Sequence, residues 1–410
     1  MSQTDKGLLT AAMQTGQAVS LGAQAMAKGV SAADSAKIVD SIRSLPPAEF
    51  ARESKLINDA LNSKNPDRAL ATYAELAPIR QQNPSRVTPD IARNLVMGVG
   101  NSRTEASQGR EGILSQDTAV RSAKTLAAMP QSEYNRVATL LNDAGKGGAN
   151  SPKADAQTEQ ALILKTVAAR SERLTNPGFF DRIGMAFGKP ASATAEIESY
   201  ANTIKGRDKE ELITKSSVLD LNNDGVDQAI QQRWNDSCAP TTAQATKAEA
   251  DPIYAWQLHK EAVHSTDSST DIGKEQKAQL DAHGGKAVPR DTGGGSGVWS
   301  EKTLNDITSS STGRVYDRHE VGNTAAARAT ACDNMAEQLK KGVDIPIEVA
   351  WNGGGAHAML FSDVRGTGSN QEFLLTDPWN GRTAWVKRDD IVNGNTNYMA
   401  GTGRIRTYLD

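Results

Sequence analysis

The chain has 410 residues, a formal net charge of −3 and a pI near 6.1. A chain of this length normally folds into two or three domains. The charge is small and no basic stripe is present, which excludes a nucleic acid as the expected partner. No stretch approaches the length of a membrane span, so we also expect no membrane-spanning segment.

The N-terminus predicts no secretory signal, because residues 1–7 lack both a charged n-region and an uninterrupted apolar h-region. We therefore expect the protein in the cytoplasm, or exported by a dedicated secretion system that needs no signal peptide. The N-terminal half is rich in Ala, Gln and Ser and contains no tryptophan. This composition is a hint of a delivered bacterial effector or toxin.

Residues 1–175 are predicted to form an α-helical region with an internal repeat. The segments at about 34–62 and 118–146 align with each other at an offset of 84 residues. In each copy a helix ends at a break marked by Pro46 or Pro130, and a second helix with an early acidic residue follows. Stacked helices of this kind offer faces for a protein partner, although a purely structural role is at least as well supported.

A change in composition marks a domain boundary. All six tryptophans, all five histidines and both cysteines lie beyond residue 230. The segments 176–178 and 188–190 contain proline and glycine, which interrupt helices. We therefore predict a linker or helical connection at 176–215 and a second domain at 216–410.

A weak calcium-loop pattern stands near the start of the second domain. Asp220, Asn222 and Asp224 place oxygen atoms at positions 1, 3 and 5, and Gly225 follows at position 6. Position 12 is Gln231, where a calcium loop has glutamate. We favour an ordinary glycine-containing turn over a calcium site, and we expect no other cofactor or metal.

One cysteine, Cys238, lies among polar residues in the segment 232–240. Pro240 favours the first turn of a helix, because its fixed φ suits that position and its missing N–H would have no partner there. Cys238 would then lie at the N-terminus of a helix, where unpaired N–H groups favour a thiolate. We expect this helix to end near Ala250, since the residue before Pro252 resists the α conformation.

Residues 251–322 form a long connecting segment, called the insertion below, that contains a glycine-rich run at 293–297. The run lacks the lysine and Ser/Thr of a nucleotide loop, so we interpret it as a flexible lid or linker. Cys332 lies in a helical pattern at 325–340 and is interpreted as a buried structural residue. A disulfide between it and Cys238 is disfavoured without a secretory signal.

The last part of the chain has the pattern of antiparallel strands. Residues 345–351 alternate, and after a glycine-rich break residues 356–362 form an apolar strand that opens with His357. A third strand at 372–376 ends at Asp377. The start of one strand and the end of the next are neighbours in an antiparallel pair, so this aspartate can reach the histidine ring, fix its tautomer and stabilise the imidazolium.

Three motifs together resemble a known family. They are Gln-x5-Cys, then Gly-Ala-His before an apolar strand, then Thr-Asp-Pro-Trp-x-Gly before another strand. In this order they resemble the papain-like cysteine peptidases that process double-glycine bacteriocin leaders, and the stand-alone relatives of those peptidases. The resemblance covers about residues 218–410. One departure is Ala239, since the family usually has glycine directly after the cysteine.

The resemblance implies a fold and a catalytic triad. Cys238 would be the nucleophile, His357 the general base and acid, and Asp377 the orienting residue. Gln232 would donate to the oxyanion beside the Cys238 backbone N–H. The expected fold is α+β, a duplicated α-helical region followed by a papain-like domain whose cysteine-bearing helix packs on an antiparallel sheet.

The predicted function is hydrolysis of an amide bond in a peptide or protein through a thioester intermediate. Deamidation, transglutamination and cleavage of cell-wall amides stay open, because they differ in acceptor and pocket and share the triad. From a different class, a catalytically inactive helical scaffold or binding protein also stays open.

Overall fold

The computed structural model describes residues 3–101, 113–146, 155–176, 192–219, 229–292, 295–298, 301–312, 314–394, 396–398 and 401–410. The chain is α+β and divides into two compact units, the first ending at Arg207 and the second beginning at Asp208. Among the described helices, none combines the length and the apolar character that a membrane crossing requires.

The described part of the first unit is helical. Its helices are α1 (Gln3–Ala27), α2 (Ala32–Ile42), α3 (Pro47–Leu61), α4 (Pro66–Gln82), α5 (Pro89–Gly100), α6 (Gln116–Ala128), α7 (Gln131–Asp143), α8 (Ala156–Ala169), α9 (Ser171–Thr175) and α10 (Ala193–Ile204). Local sequence determines where several of them begin. The hydroxyls of Ser31, Thr88 and Ser115 cap α2, α5 and α6 by accepting a backbone N–H of the first turn.

The two predicted repeats fall on the helix pairs α2–α3 and α6–α7. In each pair a proline precedes the second helix, and the two prolines share one backbone conformation. Pro46 has φ −54° and ψ 148°, and Pro130 has φ −55° and ψ 150°. The same local break therefore separates the helices of both pairs.

Helix α10 lies inside the predicted connection at 176–215 but belongs to the first unit. Helix α10 buries Ile197 and Ile204, and its Glu198 accepts two hydrogen bonds of 2.7 Å from Arg136 of α7. Glu196 also accepts hydrogen bonds from Arg170 and Arg173. Residues 177–191 of that connection lie outside the described residues.

The second unit contains one antiparallel sheet with helices on both faces. Its helices are α11 (Lys209–Lys215), α12 (Cys238–Ala250), α13 (Pro252–Leu258), α14 (Asp271–Ala282), α15 (Glu301–Thr312), α16 (Ala325–Lys341) and α17 (Arg388–Asn393). Its strands are β1 (Arg318–Glu320), β2 (Ile345–Trp351), β3 (Ala356–Arg365), β4 (Glu372–Asp377), β5 (Arg382–Lys387), β6 (Thr396–Asn397) and β7 (Thr402–Leu409). The seven strands follow the order β1-β7-β2-β3-β4-β5, and β6 pairs with β7.

Strand β3 is buried on both faces. Met359 and Phe361 pack in one hydrophobic core with Met335 and Leu339 of α16. Leu360, which lies between them, packs in another core with residues of α12 and α13. Since successive strand side chains point to opposite faces, α16 covers one face of the sheet and α12 covers the other.

The strands predicted at 345–351, 356–362 and 372–376 correspond to β2, β3 and β4, of which β3 and β4 are longer than predicted, whereas β1, β6 and β7 were not predicted. The predicted strand 356–362 continues through Asp363 and ends at Arg365. A bulge between Phe361 and Asp363 shifts the register with β4 by one residue at this point. The bulge keeps the polar residues Ser362 and Asp363 within the sheet.

Candidate active site

Helix α12 begins at the cysteine that the sequence singled out. The N–H of Thr241 donates to the carbonyl of Ser237 at 2.9 Å, so Cys238 is the first residue of the helix and Pro240 stands in its first turn. The helix ends at Ala250, in agreement with the predicted extent. The thiol therefore lies where backbone N–H groups lack intrahelical acceptors.

Cys238, His357 and Asp377 come together in the structure. The Nε2 atom of His357 lies 2.7 Å from Oδ1 of Asp377, and the histidine ring is hydrogen-bonded to the Cys238 thiol. Because Nε2 faces the carboxylate, Nδ1 is the ring nitrogen that interacts with the thiol. His357 is 9% exposed, Asp377 is 0% exposed and Cys238 is half-buried.

The electrostatics of this group favour an ion pair. Burial raises the pKa of the Cys238 thiol, but the hydrogen bond and charge of His357, with the N–H groups of Ala358 and Ala239, hold that pKa below its ordinary value. Burial lowers the pKa of His357, but its hydrogen bonds to Asp377 and Cys238 raise that pKa to about 10. Both shifts favour a thiolate paired with an imidazolium over a neutral thiol and imidazole.

A tight turn holds the carboxylate of Asp377. Its Oδ1 also accepts the N–H of Trp379 at 2.9 Å, and the N–H of Gly381 closes the turn on the Asp377 carbonyl at 2.9 Å. Gly381 has φ +69°, and a Cβ there would lie 2.7 Å from the carbonyl oxygen of Ala229. The final glycine of the Thr-Asp-Pro-Trp-x-Gly motif is thus required by backbone conformation and by space.

Gln232 is buried beside the site and holds the loop that precedes the nucleophile. Its Nε2 donates to the carbonyls of Trp234 at 3.1 Å and Asn235 at 2.7 Å, which only the nitrogen of the amide can do. Its Oε1 has no partner among the described residues. In this conformation the amide nitrogen is engaged with the loop, so the oxyanion role of Gln232 stays a prediction.

The backbone N–H of Cys238 is the donor that remains for an oxyanion. None of the described residues accepts a hydrogen bond from it. The N–H of Ala239 lies beside the thiol and helps to lower its pKa.

A cavity of about 740 Å³ opens above the thiol. Its walls come from the loop before α12, from the insertion, from β2 and β3, and from the Asp377 turn. The lining residues are Gln232, Asn235, Asp236, Cys238, Gly295, Ser296, Gly297, Val298, Glu348, Gly355, Ala356, His357, Ala358 and Trp379.

Part of the glycine-rich run of the insertion forms a wall of this cavity. Ser296 exchanges two backbone hydrogen bonds with Lys286, of 2.9 and 3.3 Å, which fixes the segment 295–298 beside the site. A Cβ at Gly295 would lie 1.9 Å from Oδ2 of Asp236. The described part of the run is therefore a close-packed wall, whereas the sequence predicted a flexible lid or linker; residues 293–294 lie outside the described residues.

Two residues that contact the site were not singled out from the sequence. The ring of Trp351, at the end of β2, stacks on His357 with 5.8 Å between the ring centres. Arg290, in the insertion, donates to the carbonyl oxygens of Gln232 and Trp379. The tryptophan could have been suspected from its position at the end of the strand next to His357, but Arg290 has no local signal.

Cys332 and Cys238 are both free thiols, so the disulfide that the sequence disfavoured is not formed. Cys332 is 0% exposed in the core between α16 and the sheet. Burial raises the pKa of this thiol to about 12. The two cysteines therefore differ sharply in their readiness to form a thiolate.

The weak calcium-loop pattern of Asp220, Asn222 and Asp224 lies outside the described residues. Elsewhere in the described ranges, no group of three or more His, Cys, Asp or Glu side chains is arranged to hold a metal ion.

No protein-family model, no curated protein and no solved structure matches this chain. Its function is therefore inferred from its own residues and their geometry.

Proposed function

We propose that this chain is a cysteine-dependent amide hydrolase that cleaves peptides through Cys238, His357 and Asp377, with a papain-like catalytic domain. One observation carries the proposal. A thiol at a helix N-terminus is hydrogen-bonded to an imidazole whose other nitrogen is held by a buried carboxylate. Such a thiol is a nucleophile at neutral pH, because the thiolate is the reactive form.

The reaction follows from the proton positions in this group. The Cys238 thiolate attacks the carbonyl carbon of the amide, and the Cys238 N–H stabilises the oxygen that becomes negative. His357 gives its Nδ1 proton to the nitrogen of the leaving amine, which breaks the C–N bond and leaves a thioester. Neutral His357 then takes a proton from water, the hydroxide attacks the thioester, and the carboxylic acid leaves as the thiolate re-forms.

The cavity supports a peptide as the substrate. Its volume of about 740 Å³ lies within the range of about 300 to 1,000 Å³ that ligand sites of proteins occupy. The thiol lies in the lining of this open cavity and not in a closed core. A chain of several residues can therefore lie across Cys238.

Digestion of a peptide library tests the proposal. The library is incubated with the wild-type protein, with Cys238→Ser and with Cys332→Ser, and new termini are identified by mass spectrometry. We expect new termini with the wild type and with Cys332→Ser, and none with Cys238→Ser. New termini with all three proteins would attribute the cleavage to a contaminant and contradict the proposal.

The charge of the cavity predicts a preference among peptides. Asp236 and Glu348 line it, Glu348 being paired with Arg406, and among the described lining residues His357 alone carries a basic side chain. We therefore expect peptides with lysine or arginine beside the cleaved bond to be preferred. Because one partly exposed ion pair contributes up to about 1 kcal/mol, Asp236→Asn should lower kcat/KM for such peptides about fivefold.

Neutral peptides supply the comparison for this prediction. The same variant should cleave them at the wild-type rate, and Asp389→Asn, a change at an exposed carboxylate on α17, should alter neither rate. Equal losses on basic and neutral peptides would show that Asp236 does not select for charge.

We also propose that the helix pairs α2–α3 and α6–α7 arose by duplication. The alignment of their sequences at an offset of 84 residues and the shared conformation of Pro46 and Pro130 support this origin. A protein partner for these helices stays a prediction.

A further inference from the structure

Arg290 lies in the long insertion but contacts both halves of the candidate site. Its Nη1 donates to the carbonyl oxygen of Gln232 at 3.0 Å, and its Nη2 donates to the carbonyl oxygen of Trp379. The guanidinium also stacks on the indole of Trp379, 4.3 Å from the ring centre. One side chain therefore contacts two segments that are far apart in the sequence.

Each of these segments carries part of the triad. Gln232 belongs to the loop that leads into Cys238, and Trp379 belongs to the turn that holds Asp377. A backbone hydrogen bond of 2.7 Å from the N–H of Gln232 to the carbonyl of Pro378 also joins the loop and the turn. The planar guanidinium presents its donors in a rigid fork, so it fixes the separation of the two carbonyls in a way that a single donor cannot.

The charge of Arg290 also suits this place. Asp377 is fully buried, and its Oδ2 has no hydrogen-bond partner among the described residues. A buried carboxylate is costly unless nearby positive charge compensates it. Burial lowers the pKa of Arg290, whereas the carboxylates of Asp291 and Asp377 raise it, so the guanidinium interacts favourably with the buried aspartate.

We propose that Arg290 is a positioning residue, which sets the contact between Cys238 and His357 by fixing the nucleophile loop against the Asp377 turn. The inference builds on the proposed function, since it assigns a role within the same site. It also assigns a structural role to the insertion, because Arg290 holds the two segments that carry a triad whose residues lie outside the insertion.

The pH profile of Cys238 alkylation is the readout. Iodoacetamide labelling is followed by peptide mass spectrometry between about pH 5 and pH 9, because the thiolate fraction controls the rate. Apart from Arg290 itself, the charged groups around the thiol stay the same in every protein compared: His357, Asp377, Asp236 and Glu348. A change in the profile therefore reports the loss of Arg290.

In Arg290→Met we expect the midpoint of the profile to rise by about one pH unit, because a loosened pair holds less thiolate. Arg290→Lys keeps the charge but loses the fork, and at least half of that rise should remain. An unchanged profile in Arg290→Met would overturn the proposal. A wild-type profile in Arg290→Lys would also overturn it, since charge alone would then suffice. If Arg290→Met does not fold, the profile of Arg290→Lys alone tests the proposal. A raised midpoint supports it and a wild-type profile overturns it.

The chain offers a matched control at Arg365. Its guanidinium stacks on Trp385 at 4.1 Å and pairs with Glu372, in the same sheet but outside the cavity lining. We expect Arg365→Met to lower the melting temperature without moving the profile. If it moved the profile as far as Arg290→Met does, the effect would be general loosening of the domain and the positioning role would be lost.

The wild-type profile separates the two proposals. A wild-type midpoint at the ordinary thiol value of about 8.5 would contradict the proposed function itself. A low wild-type midpoint that Arg290→Met preserves would contradict only the role of Arg290.

Discussion

Replacement of Cys238 by alanine is expected to lower kcat/KM for peptide hydrolysis by at least about 10⁴-fold, because no acyl-enzyme can form without the nucleophile. The free energy of unfolding should change by less than about 1 kcal/mol, since the side chain is only half-buried at a helix start. His357→Ala should cause a loss of similar size, because its ring holds the thiolate and donates the proton. The measurements are steady-state kinetics and urea unfolding.

Cys332 supplies the matched control. Cys332→Ala removes a sulfur atom that is 0% exposed in the core against α16, so it should destabilise the protein by about 1 to 2 kcal/mol. The folded fraction of Cys332→Ala should have the same kcat/KM as the wild type. The change at Cys238 should therefore abolish activity and preserve stability, whereas the change at Cys332 should lower stability and preserve activity. Retained activity in Cys238→Ala would contradict the proposed function.

Asp377→Asn is expected to lower kcat by about 10² to 10³-fold while the protein stays folded. The amide keeps the shape of the carboxylate, but it lacks the charge that stabilises the imidazolium of His357. Loss of that charge should lower the pKa of His357 from about 10 toward its ordinary value and raise the pKa of Cys238. The pH range in which the ion pair exists would then narrow from both sides.

The pH dependence of kcat tests this prediction, because a narrower range gives a narrower plateau. Asp363→Asn, a change at another buried carboxylate of the same sheet, should leave the plateau unchanged. If Asp377→Asn kept the wild-type plateau and rate, the carboxylate would have no part in orienting or charging His357.

The pairing of His357 with Asp377 could be predicted from sequence because it depends on two neighbouring strands, whereas the approach of Cys238 to His357 depends on the tertiary fold and was expected only from the family resemblance. Pro240 places Cys238 at the start of α12, and the apolar run after His357 defines β3. Thr376 pairs with Leu360 across β3 and β4, so the next residue, Asp377, lies close to the beginning of β3. Antiparallel neighbours in the chain bring such residues together without any knowledge of the remaining fold.

Other features depend on tertiary contacts that no local pattern encodes. Arg290 lies 58 residues from Gln232 and 89 from Trp379, in a segment without a sequence motif. The engagement of the Gln232 amide depends on how the loop before α12 turns. The extra length of β3 depends on a bulge opposite β4, where polar residues continue the strand. The helix that begins at Cys238 and the strands β2, β3 and β4 could therefore be predicted from sequence, but the contacts that hold the site together could not.

The most direct test of the ion pair is the ultraviolet absorption of its thiolate as the pH is raised, taken as the difference between the wild type and Cys238→Ser. Tyrosines cancel in this difference, and Cys332, with its pKa raised to about 12, stays a thiol. We expect the Cys238 signal already at about pH 6, and we expect His357→Ala to move it to about 8.5 or above. A wild-type signal that appears only near about 8.5 and does not depend on His357 would contradict the ion pair.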